Sequence, residues 1–179
     1  MTRALVVALV LTATSTFVAA LLPPGFHLPG AIKGPTQPIA YSHAIHAGKL
    51  GMNCLYCHYG AEKSPIANIP PVSTCMGCHK IARADRPEIQ KLTKYYESGE
   101  QIPWVEVYRL PSHVKFNHKR HVKAGIQCTD CHGPVQKMDV MVQSAPMKMG
   151  WCVSCHRQDM AHPRNPEYPA SLDCLVCHH

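Results

Sequence analysis

All ten cysteines of the chain fall in five copies of one pentapeptide, Cys-x-x-Cys-His. The copies are Cys54-Leu55-Tyr56-Cys57-His58, Cys75-Met76-Gly77-Cys78-His79, Cys128-Thr129-Asp130-Cys131-His132, Cys152-Val153-Ser154-Cys155-His156 and Cys174-Leu175-Val176-Cys177-His178. Two thiols at this spacing add to the two vinyl groups of a porphyrin, and the adjacent histidine binds the iron from one face. The predicted cofactor is five covalently bound haems c. Cys54, Cys57, Cys75, Cys78, Cys128, Cys131, Cys152, Cys155, Cys174 and Cys177 would be the attachment points, and His58, His79, His132, His156 and His178 the proximal iron ligands. A disulfide framework or zinc knuckles would also use cysteines in pairs, but neither gives a reason for a histidine after every second cysteine.

The second axial ligand decides between electron transfer and substrate chemistry. Eight histidines lie outside the motifs: His27, His43, His46, His113, His118, His121, His162 and His179. Two pairs stand out. Tyr41-Ser42-His43-Ala44-Ile45-His46 precedes Cys54, and Phe116-Asn117-His118-Lys119-Arg120-His121 precedes Cys128. On one helical turn the two histidines of a pair diverge slightly, so one can serve the following haem and the other a neighbour. His43, His46, His118 and His121 are therefore expected as distal ligands. The fifth distal position is open between methionine and histidine. Met147-Lys148-Met149-Gly150-Trp151 runs into Cys152, and a thioether is a soft donor suited to haem iron. Packing against a porphyrin face would use a methionine equally well. His113, His162 and His179 are the rival donors.

The same elements expose an internal duplication. An aromatic-x-His-x-x-His element followed by two haem motifs occurs over residues 41–79 and again over 116–156, and residues 174–178 add a fifth motif. Between the units, Asp85 reads as an N-cap with Pro87 in the first turn of a helix. Ile89, Leu92 and Tyr95 or Tyr96 share its face, and Gly99 stops it. Residues 102–108 read as an extended segment. Short helices are expected near the other motifs.

With residues 41–179 holding five haems, roughly 28 residues serve each one, which points to a single haem domain. The expected fold class is a multihaem cytochrome c with little regular secondary structure and short helices around the haems. The porphyrins supply much of its buried apolar surface, and the haem-free chain should not fold. The formal charge of +7 does not indicate a nucleic-acid partner. Ten propionates and five ferric centres would bring the total to about +2, and many Lys and Arg side chains would face propionates or solvent.

Residues 4–22 form an almost unbroken apolar run behind Arg3, closed by Pro23-Pro24. As a helix it would reach about 28 Å, near the hydrocarbon thickness of a bilayer. A cleaved signal peptide is the competing reading, with Val18-x-Ala20 as its cleavage site. Residues 1–22 are read as a transmembrane anchor and residues 23–40, with five prolines, as an extended strap. The amino terminus would stay cytoplasmic, leaving the haem domain on the periplasmic side of the inner membrane. No cysteine follows the run to serve as a lipoprotein anchor.

The aromatic-x-His-x-x-His elements ahead of the haem motifs resemble class III multihaem cytochromes c. The apolar amino terminus, Pro103-Trp104-Val105, Phe116-Asn117-His118 and Met149-Gly150-Trp151-Cys152 narrow the resemblance to the pentahaem cytochrome c subunit of alternative complex III. It covers nearly the whole chain. A related subunit of a periplasmic quinone reductase complex shares much of it. The resemblance implies an electron-carrier subunit, not an enzyme on its own, within a quinol:electron acceptor oxidoreductase. Its partners would be an iron–sulfur subunit, integral quinol-binding subunits and a monohaem cytochrome c, with delivery to a cytochrome c or terminal oxidase. It further implies four bis-histidine haems and one His–Met haem whose methionine maps onto Met149. A multihaem oxyanion reductase is disfavoured, because no Cys-x-x-Cys-Lys motif occurs. A stand-alone membrane-anchored quinol dehydrogenase fits the repeat and the fifth haem poorly.

Overall fold

The computed structural model describes residues 34–179. The apolar run at 4–22 and most of the strap lie outside the described residues, among which no helix is long and apolar enough to cross a membrane. Gly34–His179 forms one unit, built among the described residues from short helices without strands. A π-helix, Ala44–Lys49, is followed by α1 (Cys54–Cys57), α2 (Gly60–Lys63), α3 (Val72–His79) and α4 (Pro87–Ser98). Then come α5 (His118–Lys123), α6 (Cys128–His132), a 3-10 turn at Val135–Lys137, α7 (Met149–Ala161) and a last 3-10 turn at Cys174–Val176.

Each haem motif begins or lies within one of these turns, and local caps start several of them. Asn53 accepts from the Leu55 N–H and Asp173 from the Leu175 N–H, each satisfying an N–H that a helix start leaves free. The central helix differs at its start from the sequence expectation. Arg86, with extended φ and ψ, is the N-cap instead of Asp85, and Pro87 is the first helical residue. Proline restricts its predecessor to extended backbone, which moves the boundary forward by one. Gly99 ends α4 in the left-handed region at φ 73°, a conformation that costs glycine little.

The residue 102–108 segment pairs with no strand. The side-chain amide of Gln37 takes a partner's place, donating to the Val105 carbonyl at 3.0 Å and accepting the Val105 N–H at 2.9 Å. The segment delivers Ile102 to a small core with Ile39, Met76 and Leu92, flanked by Val72, Ile89, Tyr95 and Trp104. This core joins α3 to α4 and sits wholly on the first unit's side. The remaining buried residues of the described chain are Gly60, Ala61, Ala145 and Asp159.

Candidate haem sites

Both histidine elements have the same internal geometry. Tyr41 stacks on His46, with ring centroids 4.5 Å apart at 20°, and meets His43 edge-on at 4.9 Å. Phe116 stacks on His121 at 4.3 Å and 27°, and meets His118 edge-on at 4.8 Å. The Ser42 carbonyl accepts the His46 Nδ1–H at 2.8 Å, and the Asn117 carbonyl accepts that of His121 at 2.8 Å. An aromatic residue two positions before the first histidine thus clamps both rings. The hydrogen bond at Nδ1 leaves the Nε2 lone pair as the metal-binding atom. One element is a π-helix and the other an α-helix, yet the ring arrangement is conserved between them.

Across from these rings lie the motif histidines. His43 faces His58 with centroids 6.5 Å apart and planes at 13°, and His118 faces His132 at 6.5 Å and 4°. His46 lies 6.0 Å from His79, and His121 lies 6.0 Å from His156. A fifth pair, His113 and His178, stands at 5.7 Å and 19°. Two metal–nitrogen bonds of about 2 Å each, plus the distance from ring nitrogen to ring centre, come to roughly 6 Å between imidazole centroids. The donors come in twos, and no group of three or more His, Cys, Asp or Glu among the described residues converges on one point. Two axial donors are what an iron needs when a porphyrin fills its other four positions, so the residues fit haem.

The motif histidines are oriented from behind. His58 Nδ1 donates to the Asn68 carbonyl at 2.7 Å, His79 to Ala82 at 2.9 Å, His156 to Ser171 at 2.7 Å and His178 to His113 at 3.2 Å. His118 is held in the same way by the Pro65 carbonyl at 2.8 Å. His132 differs: its Nδ1 is buried without a hydrogen-bond partner, and the Tyr108 ring meets it edge-on at 4.5 Å. The Tyr108 hydroxyl accepts from Ser144 N–H at 2.9 Å and donates toward the Cys131 carbonyl at 3.4 Å. Burial, with His58, His46 and His132 nearby, lowers His43 to about 4. Burial also lowers His121 and His132. Such rings stay neutral, the form that binds a metal.

All ten cysteines are free and at least partly accessible, and neighbouring attachment sites lie near enough to shift one another's thiols. Burial raises the Cys75 thiol and Cys57 beside it adds to the rise. Burial raises Cys128, followed by Cys54, to which it is hydrogen-bonded. For Cys131 the causes are burial, then Asp130, then Cys155 and Cys152. For Cys152 they are burial and then Cys177. Tyr56, Ile66, Ile69 and Leu175 present exposed apolar surface within or just after the motifs, as a porphyrin face requires.

Met149 is the first residue of α7 and is 68% exposed. His162 is the C-cap of that helix, and His179 Nδ1 donates to the Leu175 carbonyl at 3.2 Å. Neither His162 nor His179 pairs with a motif histidine ring as the five pairs above do. Sequence reasoning missed Tyr108, and it held His113 only as one rival among several. His113 stands alone in a turn, without the paired spacing that singled out the others.

Two comparisons bear on these sites. Residues 114–179 match the family described as cytochrome c7 and related cytochrome c. The chain is 33% identical over 164 residues to the menaquinone reductase multihaem cytochrome c subunit of Nitratidesulfovibrio vulgaris (strain Hildenborough), with 79% of this chain and 76% of that protein covered. Covalently bound haem c follows from that kinship, as it does from the Cys-x-x-Cys-His motifs. With helices and no strands around paired histidines among the described residues, the chain belongs to the multihaem cytochromes c of the cytochrome c7-like type, related to a menaquinone reductase subunit.

Proposed function

We propose that this chain is the electron-carrier subunit of a quinone-linked membrane oxidoreductase, holding five haems c in one line. The observation that carries this reading is the facing of every motif histidine by a second imidazole. When bound, a haem iron with two strong axial ligands exchanges one electron without an open position for substrate. In this reading His43, His46, His118 and His121 are distal ligands to the irons whose proximal ligands are His58, His79, His132 and His156, in that order. The protein's work is to hold rings, fix tautomers and set burial. The thiol neighbours support a spatial order that departs from chain order. The attachment site at Cys75 and Cys78 is terminal, next to that at Cys54 and Cys57. The latter meets Cys128 and Cys131, which lead to Cys152 and Cys155 and finally to Cys174 and Cys177.

The reading places residues 4–22 in the inner membrane and the haem domain at its periplasmic side, supported by the apolar run behind Arg3. The finer assignment is to alternative complex III, in which an iron–sulfur subunit would supply electrons, integral subunits would bind quinol and a monohaem cytochrome c would receive them. It rests on the Pro103-Trp104-Val105 and Met149-Gly150-Trp151-Cys152 motifs. A second reading, a periplasmic quinone reductase complex, is favoured by the menaquinone reductase relative. Gentle purification from membranes, with identification of the co-purifying subunits, tests both. An iron–sulfur subunit and integral quinone-binding subunits are expected, with a monohaem cytochrome c only in the first case. A protein that purified alone and oxidised quinol unaided would overturn the subunit reading.

A further inference from the structure

We propose that His113 is the distal ligand of the iron held by Cys174, Cys177 and His178, so that all five irons are bis-histidine and Met149 binds none. This rests on the haem reading above and goes beyond it at one iron, where methionine and histidine both remained open from sequence.

The His113–His178 pair, at 5.7 Å and 19°, has a separation close to that of all four pairs built by the duplicated elements. It shares the near-parallel planes of the two formed by their first histidines, 6.5 Å and 13° for His43–His58 and 6.5 Å and 4° for His118–His132. The placement is braced from both sides. The His113 carbonyl accepts the His178 Nδ1–H at 3.2 Å, and the Lys115 N–H donates to the Cys177 carbonyl at 2.8 Å. A turn closed by the Val114 N–H on the Pro111 carbonyl, 2.9 Å, presents the His113 ring. The hydrogen bond at His178 Nδ1 leaves its Nε2 as the metal-binding atom, and the same backbone contact ties His178 to His113.

The rivals fail on position. His179 follows His178 directly, and its Nδ1 is tied to the Leu175 carbonyl within the same turn, so its ring cannot reach the opposite face of the iron that His178 binds. His162 caps α7 beside Asp159 and Arg164. Met149 would have to displace an imidazole, because every motif histidine already has one across from it. A consequence follows for tuning. With one ligand type at all five irons, differences in potential come from burial and hydrogen bonding instead of a methionine sulfur. His113 also lacks the aromatic clamp of the other distal rings, and it is exposed where they are half-buried.

The test uses full-length holoprotein carrying His113→Ala, His113→Met or Met149→Ala, with haem quantified per chain. Wild type should show only low-spin ferric haem and bind no carbon monoxide when reduced. H113A should turn one haem in five high-spin and able to bind carbon monoxide. H113M should restore the low-spin state and raise the potential of that one component, which a merely structural role would not do. M149A should match wild type in spectra and potentials. A high-spin fraction in M149A, or an H113A protein with five low-spin haems, would overturn the assignment. If H113A fails to mature, H113M against M149A decides. A wild-type count below five haems would overturn the five-haem reading itself, a separate result.

Discussion

The Ala44 N–H donates to the Met138 carbonyl at 2.9 Å, and the Lys119 N–H donates to the Ser64 carbonyl at 3.2 Å. Ala44 and Lys119 each follow the first histidine of their element. Met138 and Ser64 each lie six residues beyond the first motif histidine of the opposite unit. Each unit's histidine helix is therefore seated on the other unit, and the duplication seen in sequence is clasped reciprocally in space. This brings the attachment sites at Cys54 and Cys128 together at the centre. The clasp needs close approach at Gly48, where a Cβ would meet the Gln136 carbonyl oxygen at 2.3 Å. Gly48→Ala should cost about 2 kcal/mol by overpacking. In a domain of this size that lowers Tm by about 4–8 °C, which calorimetry on the holoprotein would register. An unchanged Tm would mean that the two units do not depend on this contact.

The aromatic clamp predicts a graded series at Tyr41. Phe116 occupies the equivalent place without a hydroxyl, so Tyr41→Phe should leave thermal stability within about 0.5 kcal/mol. Tyr41→Ala removes the stacking on His46 and the edge contact with His43. It should cost about 1–3 kcal/mol and loosen both imidazoles, broadening the low-spin signals of two haems. Equal effects of the two substitutions would show that the hydroxyl matters more than the ring.

What could be read from sequence was what repeats or has fixed spacing. The haem motifs, the paired histidines and the apolar face of α4 carry their information within a dozen residues. The structure places the four paired histidines beside motif rings. His113 carried no such signal, because its relation to His178 spans 65 residues and depends on where the chain's end docks. Tyr108 was hidden for the same reason, since its hydroxyl partners lie near 131 and 142–144. The extended reading of 102–108 missed that a single glutamine side chain, Gln37, replaces a pairing strand. The reciprocal clasp is likewise a tertiary contact with no local signature.

Asp159 is the buried carboxylate of α7, and both its oxygens are used. Oδ1 accepts the Arg164 N–H and Oδ2 the Ala170 N–H, each at 3.1 Å. These bonds fold residues 164–170 back on the helix and so position the Ser171 carbonyl behind His156. Asp159→Ala leaves the Arg164 and Ala170 N–H groups without their partner, which should cost up to about 1–3 kcal/mol each. Faster amide exchange over residues 164–171 is expected, together with a shift in the potential of the haem served by His156. If exchange there stayed at the wild-type rate, the carboxylate would not be what holds the segment.

Glu88 predicts a pH effect at the junction of residue 40 and α4. Its carboxyl is held below the ordinary value by the hydrogen bond from Lys91, 2.6 Å, and then by the Ala40 N–H, 2.7 Å. A carboxyl lowered on folding contributes stability above its unfolded value and loses it as pH falls through the folded one. The Ala40 contact should therefore weaken only at acid pH, below the usual carboxylate range. Because Glu88 lies half-exposed at the surface, the effect is local. Proteolytic nicking near residue 40 should rise on acidification in the wild type, and in Glu88→Gln it should not vary with pH over that range.

The uneven distribution of buried side chains makes a prediction about the chain without haem. Ile39, Met76, Leu92 and Ile102 form the hydrophobic cluster, all on the side of α3 and α4, while the second unit buries little beyond Ala145 and Asp159. A few buried aliphatic side chains at about 2 kcal/mol each cannot offset the entropy of ordering a domain of this length. Haem attachment must supply both the missing apolar surface and the cross-links. Chain made without haem attachment should give no cooperative thermal transition. Its residual helicity should concentrate at Pro87–Ser98, where the best apolar face and a proline–glycine start and stop coincide. Circular dichroism and amide exchange would show this directly. A cooperative melt of the haem-free chain would mean that the polypeptide, and not the porphyrins, holds the histidine pairs in place.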